Sequence, residues 1–238
     1  MGLILLATDL DDTLVGDDNS TQVFNGLVSR MRDQQKIKLV YITGRSPESY
    51  DQLKNERSLL EPDALVTAVG TEIFLDGKAK YNNWPTVVEW NSELMKTSLL
   101  NVPSLEEQPK TEQRQFKISY YLRNNQSSYE LVKKILRHHP VDVVYSMGLY
   151  LDIVPRGVNK GSALRLLADK WHIEAEDTIA CGDSANDISM LKHNKAIIVG
   201  NAKEELLQWA LQAGNGNIFL AKGFYAQGII EGLAYYGV

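Results

Sequence analysis

The chain has 238 residues, with 25 Lys+Arg against 30 Asp+Glu, a formal net charge of −5, and 44% hydrophobic and 23% charged residues. That is the composition of an ordinary globular protein, long enough for one large domain or two smaller ones. Its acidic balance argues against a nucleic-acid partner or an anionic membrane surface.

Residues 3–7, Leu-Ile-Leu-Leu-Ala, read as a buried parallel strand. The run lacks a preceding basic region and is too short for a signal peptide or a membrane span, so no membrane association is expected. Met1-Gly2 opens a myristoylation pattern, but Leu6 stands where Ser or Thr is needed. Directly behind the strand comes Asp9-Leu10-Asp11-Asp12-Thr13. A calcium loop of the EF-hand type would place Gly at its sixth position and Glu at its twelfth; counted from Asp9 these are Leu14 and Ser20.

Residues 21–31 form an amphipathic helix pattern, and residues 38–42 a second strand ending at Thr43-Gly44-Arg45-Ser46-Pro47. Pro47 followed by Glu48 suits a helix first turn. Residues 64–69 are a third apolar strand, ending at Gly70-Thr71-Glu72. Strand, helix, strand, helix, strand predicts a parallel sheet with right-handed crossovers. From about residue 78 the texture changes. Residues 84–100 read as a helix containing Trp84 and Trp90, followed by a polar stretch over 104–115. Strand 117–122, helix 129–137 and a hairpin of 141–145 with 150–154 then suggest a small α+β insert. The α/β rhythm resumes with helix 161–171, strand 178–181, helix 188–193, strand 196–199, helix 204–213, strand 218–220 and helix 227–236. The fold expected is α/β, a Rossmann-like core over residues 1–78 and 156–238 with a smaller α+β unit over 79–155.

Other local signals carry less. Cys181, alone in the chain, cannot form an internal disulfide; it reads as a small buried hydrophobe and fits a reducing cytoplasm. Asn19-Ser20-Thr21 and Asn125-Gln126-Ser127 match a glycosylation pattern that has no meaning without secretion. Gly214-Asn215-Gly216 is a turn and not a dinucleotide fingerprint, because Phe219 breaks the pattern. His138-His139 are adjacent, so they do not share a helical face as a metal pair would. The four tryptophans, Trp84, Trp90, Trp171 and Trp209, read as packing residues.

The strand ends carry the chemistry. In open α/β sheets, ligands bind at the carboxyl ends of strands. There the sequence places Asp9 and Asp11, Thr43 with Gly44, and Asp183 with Asp187 after strand 178–181; Lys160 precedes helix 161–171. Carboxylates, a hydroxyl and a lysine converging on one rim suit phosphoryl transfer through an aspartyl-phosphate. A Mg²⁺ held by carboxylates removes the repulsion between anionic ester and carboxylate nucleophile. Lysine and hydroxyl then bind the phosphoryl oxygens, where charge spreads in the transition state. A second aspartate protonates the leaving alcohol and later deprotonates water.

These residues, in this order, resemble the four motifs of the haloacid dehalogenase superfamily of phosphatases: Asp9-Leu10-Asp11-Asp12-Thr13, Thr43-Gly44-Arg45, Lys160, and Gly182-Asp183-Ser184-Ala185-Asn186-Asp187. The insert resembles that superfamily's cap of the second type. Within it the chain is similar to the sucrose-phosphate phosphatases, on Thr43-Gly44-Arg45-Ser46-Pro47, Glu61-Pro62-Asp63, Ala68-Val69-Gly70-Thr71-Glu72-Ile73, Glu112-Gln113-Arg114, Lys117-Ile118-Ser119-Tyr120, Asp152-Ile153-Val154-Pro155 and residues 201–209. The resemblance implies Asp9 as nucleophile and Asp11 as acid/base. It implies Mg²⁺ held by Asp9, the main-chain carbonyl of Asp11, and Asp183, with Asn186 and Asp187 in support. Thr43, Gly44 and Lys160 would bind phosphate. Arg45, Thr71, Glu72, Lys117, Tyr120 and Asp152 are the candidates for sugar contacts. The implied substrate is sucrose 6-phosphate, with the synthase that makes it as a possible docking partner. A phosphatase for mannosylfructose, trehalose or glucosylglycerol phosphate, and a non-catalytic phosphosugar-binding module, are the competing readings. The specificity of any of them must lie in the cap, because the transferred group is the same in every substrate.

Overall fold

The computed structural model describes residues 2–76, 79–87, 89–214 and 216–238. The chain opens with β1 (Ile4–Thr8), α1 (Asp18–Asp33), β2 (Ile37–Ile42), α2 (Pro47–Arg57) and β3 (Ala64–Thr67). The Asp17 carboxylate starts α1 by accepting the Ser20 N–H at 2.7 Å. Ser46 does the same for α2, with Pro47 in the first turn. Two antiparallel strands, β4 (Glu72–Leu75) and β5 (Ala79–Lys80), extend the sheet beyond β3. There follow α3 (Ser92–Leu99), β6 (Glu106–Glu107), β7 (Ile118–Tyr121), α4 (Gln126–Leu136), β8 (Val141–Ser146) and β9 (Tyr150–Pro155). The last part is α5 (Lys160–Trp171), β10 (Thr178–Gly182), α6 (Ile188–Leu191), β11 (Lys195–Ile198), α7 (Glu204–Ala213), β12 (Ile218–Leu220) and α8 (Tyr225–Tyr235).

The large sheet has the order β12-β11-β10-β1-β2-β3-β4-β5 and is parallel from β12 to β3. Successive residues of its strands alternate between two apolar layers, as the period of two requires. Leu6, Leu39, Tyr41 and Cys181 pack with Phe24 and Val28 of α1 and Ile229 and Leu233 of α8. Leu5, Ala7, Val40 and Ala180 pack on the other face with Leu164 and Leu167 of α5 and Met190 of α6. Burial on both faces explains the unbroken apolar runs of the sequence. β1 lies at the centre, where the strand order turns outward in both directions, and its carboxyl end is the place such sheets bind ligands. Among the described residues, no helix is long and apolar enough to cross a membrane.

The insert forms its own four-stranded antiparallel sheet, β6-β7-β9-β8. Ile118, Tyr120, Leu151 and Ile153 of one face pack on Met95 and Leu99 of α3 and Val132 and Leu136 of α4. The other face is left to look toward the core sheet.

Several details differ from the sequence expectation. The helix expected over 84–100 begins only at Ser92, after Asn91 caps the N–H of Leu94 at 3.0 Å. The run Thr86-Val87-Val88 is β-branched and a poor helix former, and the Trp84 indole is tied to the Gly70 carbonyl at 2.8 Å. The strand expected over 64–69 stops at Thr67, because Ala68 and Val69 have φ of 52° and 60°. β4, β5 and the two-residue β6 were not anticipated, and α6 ends at Leu191 rather than at His193. β5 belongs to the large sheet, so the core continues past the division expected at 78/79; residues 77 and 78 themselves lie outside the described ones. At the expected turn, Gly214 is the left-handed cap of α7, and Asn215 lies outside the described residues.

Candidate active site

Asp9 follows β1 directly and is held by its own N–H, which donates to the Cys181 carbonyl of β10 at 3.1 Å. Its carboxylate is buried, 5% exposed, and Oδ1 lies 3.0 Å from Lys160 Nζ. Lys160 opens α5 with no exposed surface and also donates to Asp187 Oδ1 at 2.7 Å. The other Asp187 oxygen accepts the N–H groups of Asp183 and Ser184, each at 3.0 Å. Asp183 in turn accepts the Thr13 hydroxyl at 2.9 Å. Two loops and a helix start are thereby joined around one group of carboxylates. Gly182 makes the packing possible, since a Cβ there would lie 2.5 Å from that of Asp187.

Asp9, Asp183 and Asp187 each bring a carboxylate oxygen within 4.8 Å of the others. Hard oxygen donors in this density are what a divalent cation of the magnesium class takes. Three carboxylates share one buried ammonium, which leaves negative charge uncompensated. Asp187 already spends both oxygens on Lys160 and two backbone N–H groups, so it supports the site, and Asp9 and Asp183 are the donors open to a metal. The titration behaviour follows the same logic. Burial pushes the Asp9 carboxyl well up; Lys160 opposes this, and the charges of Asp187, Asp183 and Asp11 add to it. Burial, then the Asp187 charge, pushes Asp183 up to about 7 against the pull of Thr13 and Lys160. Burial works against the charge of Lys160, but Asp187 and Asp9 outweigh it and hold the ammonium above the ordinary lysine range.

The remaining core residues stand around this group. Asp11 is half-exposed, and Arg45 holds it through Nε and Nη2 at 2.8 and 2.7 Å. Thr43 is buried next to Gly44, which lines the cavity of the site, and its hydroxyl oxygen accepts the Arg45 N–H at 3.2 Å. The turn after β3 presses against the same loop: the Val69 N–H donates to the Thr43 carbonyl at 3.1 Å, and that of Ala68 to the Arg45 carbonyl at 2.8 Å. Gly70, with φ 104°, passes so close to α5 that a Cβ would sit 2.4 Å from the Asn159 carbonyl carbon. Left-handed Val69 is the sort of strained residue that accompanies functional sites.

Over this floor lies a cavity of about 460 Å³, within the range of small-molecule sites. Asp9, Asp11, Gly44, Arg45, Lys160, Asp183 and Asn186 line its core side. The insert closes the other side, and Lys117 and Asp152, two of the candidates for sugar contacts, line it. Lys117 is buried; its Nζ lies 3.3 Å from the Gly44 carbonyl and 3.5 Å from Asp152. The insert is tied to the core by Ser46 to Glu112 at 3.0 Å and by Arg114 to Glu72 and Glu48 at 2.9 and 3.0 Å.

Three expected sugar contacts are not brought to the cavity. Tyr120 points into the core of the insert. Glu72 is buried in pairs with Lys80 and Arg114, and the Thr71 hydroxyl caps the Ala68 carbonyl at 3.0 Å. In their place stand Gln108, Glu112, Tyr121, Ser146, Met147 and Tyr150. Strand alternation was the signal that could have found Tyr121, two residues beyond Ser119 and four beyond Lys117.

Known proteins share this architecture. "Probable sucrose-phosphatase 3a" of Arabidopsis thaliana is 36% identical over 97% of this chain, which spans 59% of that relative's length. The other curated plant sucrose-phosphatases are matched over a similar share of their length. The mannosylfructose-phosphate phosphatase of Agrobacterium fabrum is 29% identical, with 99% of this chain and 98% of that protein covered. The X-ray structure of the sucrose-phosphatase from Synechocystis sp. PCC6803, in complex with sucrose and phosphate, superposes with a TM-score of 0.92 at 32% identity, over 100% of this chain and 99% of that one. Haloacid dehalogenase proteins at 18% and 16% identity share the fold with TM-scores of 0.70 and 0.73. The sucrose-6F-phosphate phosphohydrolase model matches residues 3–237, a span that takes in both the aspartate-lysine floor and the insert above it, and the chain belongs to that family.

Proposed function

We propose that the protein is a Mg²⁺-dependent phosphatase that hydrolyses sucrose 6-phosphate to sucrose and inorganic phosphate through an aspartyl-phosphate. The observation that carries this reading is the buried Asp9–Lys160 contact at 3.0 Å on the floor of a cavity whose roof is a separate sheet. Family membership and the Synechocystis likeness support it.

Asp9 attacks phosphorus, and the bond to the sugar oxygen breaks as Asp11 donates a proton to it. Asp11, now a carboxylate, takes a proton from the water that attacks the phosphoryl-Asp9, releasing phosphate and restoring Asp9. Lys160, the Gly44 N–H and the Thr43 hydroxyl bind phosphoryl oxygens as charge spreads over them. Asp9, the Asp11 carbonyl and Asp183 would hold the Mg²⁺, with Asn186 and Asp187 in support; when bound, it neutralises charge between carboxylate and phosphoryl group. Asp187 keeps Lys160 charged and in place. Polar cap residues, Lys117 and Asp152 with Gln108 and Glu112, would recognise sugar hydroxyls, and a site built to pair them rejects analogues that leave them unpaired. We assign the insert between β5 and α5, residues 81–155, to the cap and the remainder, β5 included, to the catalytic core. The compartment inferred from the single buried Cys181 is the cytoplasm, where docking on the synthase that supplies the substrate would shorten its path.

Phosphate release from sucrose 6-phosphate, beside mannosylfructose, trehalose, fructose and glucose phosphates, tests this, with Mg²⁺, with chelator and with Asp9→Asn. Preference for sucrose 6-phosphate that vanishes in both controls is expected. Faster release from mannosylfructose phosphate would favour the second reading, which rests on the end-to-end match with the Agrobacterium enzyme. No release from any ester would sink the enzyme reading.

A further inference from the structure

We propose that Asn201 and Lys203 are positioning residues that set the separation of Asp9 and Asp183 and thereby the affinity for the divalent cation. The inference rests on the metal-dependent reading above. Neither residue belongs to the four phosphatase motifs; both lie between β11 and α7.

Asp12 has φ 58°, a conformation that L residues avoid. It sits in the loop that carries Asp9 and Asp11, and two side chains from another loop hold it there. The Asn201 side-chain amide donates to the Asp12 carbonyl at 2.6 Å, and Lys203 Nζ pairs with the Asp12 carboxylate at 3.0 Å. Asn201 uses its remaining oxygen to accept the N–H of Tyr225 at 2.9 Å; Tyr225 is itself left-handed, with φ 52°. The Tyr225 ring covers Gly16, further along the Asp9 loop, where a Cβ would lie 2.3 Å from it.

The same three-residue segment also holds the other donor. The Lys203 main-chain N–H donates to the Asp183 carbonyl at 2.7 Å. One short piece of chain therefore grips the Asp9 loop through Asp12 and the Asp183 loop through its backbone. The Thr13 hydroxyl on Asp183 at 2.9 Å is a further link between the two loops. The distance between two metal donors on separate loops is fixed only as well as the loops are fixed to each other. Partners that orient ligands in this way are typically worth about 10- to 100-fold in metal affinity.

The test is Mn²⁺ binding to the intact protein without substrate, by calorimetry or electron paramagnetic resonance, for wild type, Asn201→Ala and Lys203→Met. Circular dichroism and thermal unfolding are followed beside it. Asn201→Ala changes no charge, and a rise in Kd of about tenfold or more is expected in a protein of unchanged secondary structure. Lys203→Met separates positioning from charge. Removing a nearby cation would tighten Mn²⁺ binding if charge were its only role, whereas loss of the tether weakens it. Unchanged affinity in Asn201→Ala, or tighter binding in Lys203→Met, overturns the positioning role and leaves the phosphatase reading intact. A wild-type protein that takes up no Mn²⁺ overturns the metal reading and this inference with it.

Discussion

Arg45 holds Asp11 by two parallel bonds, Nε to Oδ2 at 2.8 Å and Nη2 to Oδ1 at 2.7 Å, while its third nitrogen donates to the Ser49 hydroxyl at 2.9 Å. The arginine joins the proposed acid/base to the first turn of α2. Lysine cannot reproduce a planar two-point grip. Arg45→Lys is therefore expected to lower kcat/KM by roughly 10- to 100-fold, the loss of one or two charge-assisted bonds at ~1.5–3 kcal/mol. Steady-state phosphate release with the preferred ester checks it; a rate within twofold of wild type would remove Arg45 from the positioning of Asp11.

Lys160 is the only described cation in contact with the buried carboxylates of Asp9 and Asp187. Removing one partner of a buried pair typically costs ~3–5 kcal/mol, because the charge left behind has no compensation. Lys160→Met should lower Tm by roughly 10 °C in a protein of this size, at about 2–4 °C per kcal/mol. It should also abolish turnover. Thermal unfolding at neutral pH reads the first effect, and an unchanged Tm would mean that the carboxylates discharge by protonation instead.

The Asp183 carboxyl, raised to about 7 by burial and by the Asp187 charge, makes the metal-free protein pH-sensitive with a definite sign. Between the ordinary carboxylate range and pH 7, the folded state binds a proton that the unfolded state has lost. Stability is therefore greatest toward the low end of that window and falls as pH rises through it. The raised Asp9 acts in the same direction. Tm of chelated protein should drop from about pH 5 to 8, by an amount equivalent to a few kcal/mol at most. Mg²⁺ should reverse the trend at the upper end, since it binds the deprotonated carboxylates. Unfolding curves at three pH values, with and without the ion, decide this; a Tm that rises with pH in chelator contradicts it.

Asp9, Lys160, Asp183 and Asp187 were legible in the sequence because each stands at an element end that apolar periodicity marks, and the sheet then brings those ends together. Tyr120 misled for the opposite reason. It stands three residues beyond Lys117, which directly precedes β7, but the period of two turns it to the α3/α4 side and gives the cavity to Tyr121. Register decides the rest: β7 and β9 pair Ser119 with Asp152 and Tyr121 with Tyr150, while β8 and β9 pair Ser146 with Tyr150. Opposed residues share a face, so one correct parity would have found Tyr121, Ser146 and Tyr150 beside Asp152, whereas Gln108, Glu112 and Met147 stand outside the strands. Glu72 and Asn201 lay beyond such reasoning. Their partners, Arg114 and Asp12, are 42 and 189 residues away and meet them only through tertiary packing.

Tyr121 and Tyr150, with ring centroids 6.0 Å apart and tilted by 49°, form an aromatic stretch of the cap wall beside Met147. Sugar rings present apolar C–H faces between their hydroxyls, and aromatic surfaces cover such faces well. The pair lies in the cap, on the side of the cavity away from Lys160, so it should act on the leaving group and not on the phosphoryl group. Tyr150→Ala is expected to raise KM for a disaccharide phosphate about 2- to 12-fold, corresponding to the ~0.5–1.5 kcal/mol of an aromatic contact. kcat should change little. A small ester such as p-nitrophenyl phosphate, which cannot span the cavity, supplies the control. Equal losses on both substrates would show that the tyrosine supports the cap fold and not the sugar, whereas a loss confined to the disaccharide ester would place specificity on this wall.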